Sequence, residues 1–322
     1  MPALTFVATV SAVLQVNAIP IMVDTVYDTQ CIDPDEIEKA ITDRTRAIIP
    51  VHYGGFVCDM DRIMNIARRH NLIVIADAAH AHGAIYQGKK LGSICDAATF
   101  SFQESKTMTA GEGGIVVTND SDLAEKCIQY RSCGRREGES WYVHYVLPIN
   151  YRLAELQSAV LLAQLERLDE QLKRKNENAV YLAKRFRDVD GIKPVPGDGS
   201  TDVNGYYLYL LQYEKDKFAG VSRDRFVEAL NAEGVPCHIG YPWPLSKNPV
   251  FEQVSQGPKG CPFTCPYYGR QISIKDQKFP VTEKICAETV VIPHQVLLSG
   301  RADMDDIVTA MVKIKENAGE LL

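Results

Sequence analysis

The sequence predicts an α/β fold, with a large domain on a mostly parallel sheet covered by helices on both faces and a smaller α+β domain after it. Two observations carry this. Short continuous apolar runs at residues 20–23, 47–51 and 72–76 recur at helix-length intervals, the pattern of parallel strands joined by crossover helices. A single long helical pattern over 153–187 then separates this alternation from a C-terminal part in which the elements follow a different order.

Taken in order, residues 3–23 are apolar but broken by Thr5, Thr9, Ser11, Gln15, Asn17 and Pro20. The first basic residue is Lys39, so the stretch has no positive n-region and reads as buried structure, neither a signal peptide nor a membrane span. Asp33-Pro34-Asp35-Glu36 opens a helix with a capping carboxylate and a proline in the first turn, and 59–69 is a second helix. Strands are expected at 98–102 and 114–118, with a glycine-bearing loop between them. In the long helix, Leu156, Val160, Leu161 and Leu165 fall at helical spacing with charges opposite. Residues 188–202 are rich in Gly, Pro and Asp and mark the boundary between a large domain, 1–188, and a small one, 189–322. A strand at 206–213, a helix at 223–232 and a closing helix at 304–316 complete the chain.

Composition narrows the partners. The 322 residues are 46% hydrophobic and 24% charged, which supports two packed domains and excludes a disordered or fibrous chain. A net charge of -6 leaves no basic footprint for nucleic acid or an anionic membrane, so the expected partner is a small molecule. Nine irregularly placed cysteines make no disulfide framework, and a reducing cytoplasm is expected.

Two places carry the chemistry. Lys106 sits in a Ser/Thr/Gly-rich loop just past a predicted strand, where open α/β sheets bind ligands and where partial desolvation frees an amine for Schiff-base formation. A solvated loop lysine is the plainer reading of that residue alone. Asp77 ends the strand Ile73-Val74-Ile75-Ala76-Asp77, and two readings fit it: a helix N-cap, or the partner of a bound cation such as a protonated pyridine nitrogen. His80 fits equally as a packed core histidine, and the His80-x-His82 pair lacks a third ligand for a metal. Cys261-x-x-x-Cys265, with Cys237-His238 upstream, has no second tightly spaced pair, and Pro262 and Pro266 suit a simple loop; no metal is expected.

The run Asp77-Ala78-Ala79-His80-Ala81-His82-Gly83-Ala84, then Gly92-Ser93, Asp96-Ala97-Ala98-Thr99-Phe100-Ser101-Phe102, Lys106 and Gly111-Glu112-Gly113-Gly114, resembles the DegT/DnrJ/EryC1/StrS aminotransferases, pyridoxal-phosphate enzymes of fold type I. So do Pro2-Ala3-Leu4-Thr5-Phe6-Val7-Ala8-Thr9, Ile49-Pro50-Val51-His52 with Asp59-Met60, and Asn150-Tyr151-Arg152-Leu153 with Glu155-Leu156-Gln157. Together these motifs cover nearly the whole chain.

The resemblance implies that Lys106 carries pyridoxal 5'-phosphate as a Schiff base and shuttles the proton between half-reactions, and that Asp77 faces the pyridinium nitrogen. It implies Phe6 stacked on the ring, His80 near the ring hydroxyl where many members have Gln, and Ser101 at the cofactor phosphate. Asn150 would reach the phosphate of a neighbouring subunit, which implies a homodimer with shared active sites. Arg152, Tyr241 and His294 are candidate substrate residues; each also fits a plainer role, as a surface ion-pair residue, part of a rigid loop and a packed histidine respectively. The implied reaction moves an amino group from glutamine or glutamate to the keto group of a cyclic polyol or a nucleotide-linked sugar. Ser101-Phe102-Gln103, Ala81-His82-Gly83 and Ile292-Pro293-His294-Gln295 look more like the inosose and aromatic-acid branch.

Members of the family normally open with a further segment that carries part of the phosphate site. Against that pattern the large domain is expected to be N-terminally incomplete, with Pro2 at the end of a strand and a sheet edge exposed. The alternative function is then a truncated, catalytically silent relative that acts as a binding protein or is a fragment.

Overall fold

A computed structural model describes residues 1–147, 149–197, 199–253, 261–264, 266, 269 and 272–322. The first sheet has the order β1 (Ala47–Ile48), β2 (Ile73–Asp77), β5 (Ala97–Ser101) and β6 (Gly114–Val117), with small strands β3 (Ile85–Tyr86) and β4 (Lys89–Lys90) in the crossover from β2 to β5. β1, β2 and β5 are parallel, in a register that pairs Ala47 with Ile73 and Ile75 with Ala97; β6 returns antiparallel, pairing Val117 with Ala98. β2 and β5 run on to the carboxyl edge, where Asp77 pairs with Thr99 and Ser101 lies two residues further, while β1 stops earlier and Val51 bridges to Asp77.

Local chemistry sets the helices that brace this sheet. Asp33 caps α2 (Pro34–Ala40) by accepting from the Asp35 amide at 2.8 Å, and Asp59 caps α3 (Met60–His70) by accepting from the Arg62 amide at 3.0 Å. α3 buries Ile63, Ile66 and Ala67 on the sheet side and ends on Asn71 in the left-handed conformation, a common stop signal. In β2, Val74 and Ala76 are buried while Ile73 and Ile75 are exposed, so the apolar run expected to be buried on both faces is buried on one. Residues 20–23, expected as a strand, contribute a single parallel bridge from Val23 to Pro2. The apolar stretch before them forms α1 (Val7–Gln15), which buries Thr9, Val10 and Leu14.

After α4 (Ser121–Arg131), the long helix α5 (Glu155–Arg185) runs beside both halves of the chain. Its Leu161, Leu168 and Leu172 pack on Phe102 and Met108, and its Ala179 and Leu182 join a second core. That core is built on an antiparallel sheet, β10 (His238–Ile239), β11 (Thr289–Pro293), β9 (Leu208–Tyr213) and β7 (Ile192–Pro194), together with α6 (Arg223–Ala232) and α9 (Arg301–Glu316). Short helices α7 (Val250–Gln253) and α8 (Pro280–Glu288) precede β11. The 188–202 segment, expected as the domain boundary, holds β7 and part of β8 (Thr201–Val203); Pro194 is tolerated because β7 is an edge strand.

Every residue of β9 is buried, and its alternation divides the two cores. Leu208 and Leu210 face the first, while Tyr209, Leu211 and Tyr213 face the second. Within the second core Phe226 is fully buried, stacked on Tyr213 at 4.6 Å and edge-on to Phe218 at 5.2 Å. Phe226→Ala should cost about 3–5 kcal/mol, read as a lower midpoint in urea denaturation.

Candidate active site

Asp77 and the loop after β5 open on a cavity of about 1500 Å³ whose lining includes Phe6, Thr9, Asp77, Lys106, Tyr207 and Tyr241. α1 lies against the carboxyl edge, so that Thr9 Oγ1 donates to Asp77 Oδ2 at 2.8 Å; the Ala79 amide donates to Oδ1 at 3.2 Å. The segment after Asp77 is a turn, which removes the helix-cap reading of this carboxylate. Both oxygens are engaged and the carboxylate is fixed at the cavity wall.

Lys106 follows a tight turn knit by its own residues. The Ser101 hydroxyl accepts from the Gln103 amide at 3.3 Å, the Gln103 side-chain oxygen accepts from the Ser105 amide at 2.9 Å, and the Lys106 amide donates to the Gln103 carbonyl at 2.9 Å. The Lys106 ammonium lies 4.3 Å from the centroid of the Tyr207 ring, a cation–π contact. Burial lowers Lys106 to about 8, opposed by the attraction of Asp77. The solvated-lysine reading is therefore replaced by a half-desolvated amine that is substantially neutral near pH 8.

His80 stacks on Tyr207 with ring centroids 4.2 Å apart, and its Nδ1 accepts from the Gly54 amide at 3.3 Å. Burial, reinforced by Lys106 and His82, holds it well below the ordinary histidine range, so it is neutral. Tyr241 stands 5.6 Å from Tyr53, and burial keeps its phenol protonated. His294 is buried behind the wall: its Nε2 donates to the Ser105 carbonyl at 3.2 Å and its ring lies 5.7 Å from Tyr207. His82 is a core residue beside Phe100 and Phe102, donating from Nε2 to the Ser101 carbonyl at 2.8 Å.

Phe6, Asp77, His80, Ser101, Lys106 and Tyr241 thus share one cavity. Asn150 and Arg152 stand outside its lining: Asn150 bridges to Ser132 and accepts from the Arg152 amide, and Arg152 Nη1 lies 3.3 Å from Cys133 Sγ. Sequence reasoning missed Thr9, Tyr53 and Tyr207; the only local sign of Tyr207 was an aromatic pair at the mouth of a strand. Of the suggested zinc cysteines, Cys265 lies outside the described residues, and no group of three metal-binding side chains occurs among the described ones.

The turn at Gly54-Gly55 sets how closely His80 approaches the 205–207 segment. Gly55 has φ +99°, and a Cβ there would stand 2.4 Å from the Tyr206 nitrogen and 2.9 Å from the His80 carbonyl. Gly55→Ala should therefore destabilise by more than about 1 kcal/mol and separate His80 from Tyr207. Urea denaturation checks the first effect and a crystal structure of the variant the second.

Comparison with known proteins gives a consistent result. The model of the DegT/DnrJ/EryC1/StrS aminotransferase family matches residues 1–275. A Streptomyces paromomycinus protein named L-glutamine:2-deoxy-scyllo-inosose aminotransferase is 36% identical over 324 residues, covering 98% of this chain and 75% of the relative. Among solved structures, 3-amino-5-hydroxybenzoic acid synthase superimposes with a TM-score of 0.86 at 32% identity, over 98% of this chain and 79% of the other. DesI, solved with its TDP-sugar product, gives 0.78 at 28% identity, over 99% and 74%.

Proposed function

The chain belongs to the DegT/DnrJ/EryC1/StrS aminotransferase family, and from that premise we propose that it moves an amino group from glutamine or glutamate to the keto group of a cyclic polyol, using pyridoxal 5'-phosphate held by Lys106. The observation that carries this reading is a half-desolvated lysine amine and an anchored carboxylate at one cavity, close enough to influence each other electrostatically. The donor set fits the cofactor: an amine for its aldehyde, a carboxylate for its ring nitrogen, flat rings for its faces and a hydroxyl for its phosphate.

When bound, pyridoxal phosphate supplies an electron sink for the bond that breaks at the amino carbon. Asp77, oriented by Thr9, presents a negative charge where a protonated ring nitrogen needs one. Phe6 is exposed on the cavity rim, where it would cover a ring face, and the neutral His80, on the same cavity, would serve the ring hydroxyl. Ser101 Oγ already accepts from Gln103, which leaves its own proton for a phosphate oxygen. Lys106 is the base and acid for the proton at the amino carbon; a lowered affinity lets it take and return that proton near pH 8. Tyr241 lines this space as a substrate-side residue, whereas His294, behind the wall, would act only by holding the Ser105 carbonyl.

The cyclic polyol is favoured as acceptor by the likeness to the inosose aminotransferase; a nucleotide-linked keto-sugar is the second acceptor class, supported by the likeness to DesI. The active unit we propose is a homodimer in which Asn150, and with it Arg152, serves the site of the second copy. The exposure of Trp141, Tyr142, Tyr151 and Leu156 supports that reading. We place the enzyme in the cytoplasm, free of nucleic acid and membrane; the free thiols among the described cysteines and the acidic net charge support this. No described helix is long and apolar enough to cross a membrane.

The test is to add pyridoxal phosphate to the purified chain, look for a visible absorbance band, and then add glutamine. Loss of the band with glutamine and its return with an inosose are expected; return only with a nucleotide-linked keto-sugar would favour the second acceptor class. A silent binding protein would show no band and no response to either amino acid.

A further inference from the structure

Lys175 lies in α5, fully buried, and no carboxylate among the described residues pairs with it. Its Nζ donates to the Gly205 carbonyl at 2.6 Å, to the Tyr206 carbonyl at 3.2 Å and to Thr107 Oγ1 at 3.4 Å. The neighbouring Asn176 adds a second tie, donating to the Asn204 carbonyl at 2.9 Å and accepting from the Asn204 amide at 3.1 Å. Burying an amine with no counter-charge is costly, and a methionine would fill the same space without that cost. What the amine adds is its N–H donors, three when protonated and two when neutral, and these meet two segments that matter, with the Gly205 carbonyl at 2.6 Å the nearest acceptor. Thr107 directly follows Lys106, and Gly205-Tyr206 directly precede Tyr207, the ring beneath the Lys106 ammonium.

We propose that Lys175 is a positioning residue for the Lys106 amine: by joining the main chain that enters Tyr207 to the hydroxyl that follows Lys106, it fixes the amine against the ring and keeps water from it. Its consequence for transamination rests on the reading of Lys106 given above, while the positioning itself does not. The groups that face Lys106 are Asp77 from the end of β2, His80 and His82 from the turns after it, and Tyr207 ahead of β9, with His294 beyond that ring. Lys175 in turn faces His82 and His294. Burial also brings Lys175 down to about 7, so near neutral pH it adds less than a full positive charge.

The experiment is trace acetylation of Lys106 in the full chain across roughly pH 6 to 11, read by mass spectrometry, for the parent protein and for Lys175→Met, Lys175→Arg and Thr107→Val. In the parent, Lys106 reactivity should turn on near pH 8. Lys175→Met should move that midpoint up by about one pH unit or more, toward an ordinary lysine, because water reaches the amine once Tyr207 is released. Thr107→Val should move it in the same direction by less, and Lys175→Arg, which keeps donors, should restore it in part. An unchanged midpoint in Lys175→Met with a native circular dichroism spectrum overturns the proposal; if that variant does not fold, an unchanged midpoint in Thr107→Val does so. Borohydride reduction with pyridoxal phosphate separates the two readings. Absence of an adduct on Lys106 in the parent, beside a shifted labelling midpoint in Lys175→Met, would sink the cofactor role of Lys106 and leave the positioning role standing.

Discussion

Lys106→Ala should abolish transamination and the borohydride-fixed pyridoxal phosphate adduct, while leaving the fold intact. The side chain is half-buried at a cavity wall and makes no hydrogen bond from Nζ to another described residue, so truncation leaves no described buried partner unsatisfied. Removing a desolvated amine even relieves a cost, and stability at neutral pH should be equal or slightly raised. The catalytic loss should be large, because on the proposed reading one group would both tether the cofactor and carry the proton; the proton role alone is worth about 10²–10⁴-fold. Lys106→Arg should be as inactive, since a guanidinium stays protonated at every useful pH. Single-turnover reaction with glutamine is the measurement. An Ala variant within tenfold of the parent rate, or one that keeps the fixed adduct, would show that another residue does this work.

Acidification should unfold the protein between pH 6.5 and pH 4, through histidines that are buried neutral. His52 Nδ1 accepts from the Cys58 amide at 3.1 Å, and protonating it would set two donors against each other. His82 and His294 use Nε2 on the carbonyls of Ser101 and Ser105, and their Nδ1 atoms are buried without a partner among the described residues, so a proton there becomes a buried donor with no described acceptor. Burial accordingly lowers His52 to about 3 and His82 and His294 to about 4. The sign follows from proton uptake: below the unfolded value near 6.5 the unfolded chain binds more protons than the folded one. The stability is therefore present above 6.5 and is lost as pH falls toward the folded values. Each histidine forfeits about 2 kcal/mol by pH 5, and three together reach the lower range of a whole domain's stability. His82 and His294 bracket the Lys106 loop, so absorbance with pyridoxal phosphate should fade over the same range. Urea midpoints measured from pH 7 to pH 4 decide the matter; a flat series would refute it.

Much of this was legible in the sequence because it is local. Asp33 and Asp59 cap helices within three residues of themselves, and β2 and β5 announce their ends by Asp77 and by the loop that carries Lys106. Other elements were not legible. α1 hid in an apolar stretch rich in Val and Thr that has no clear period, and α4 and α8 gave too weak a pattern to separate from loops. The 188–202 segment showed its Gly and Pro more plainly than the short strands among them.

The sequence by itself determined the α/β class, the family, and the carboxylate and lysine at the edge of the sheet, because each is written in contiguous spacing. Only the tertiary structure decided what surrounds them. Tyr207 meets Ser105 across 102 positions of chain and Lys175 meets Thr107 across 68. No local pattern encodes such contacts, since they exist only once β9 and α5 have packed against the Lys106 loop.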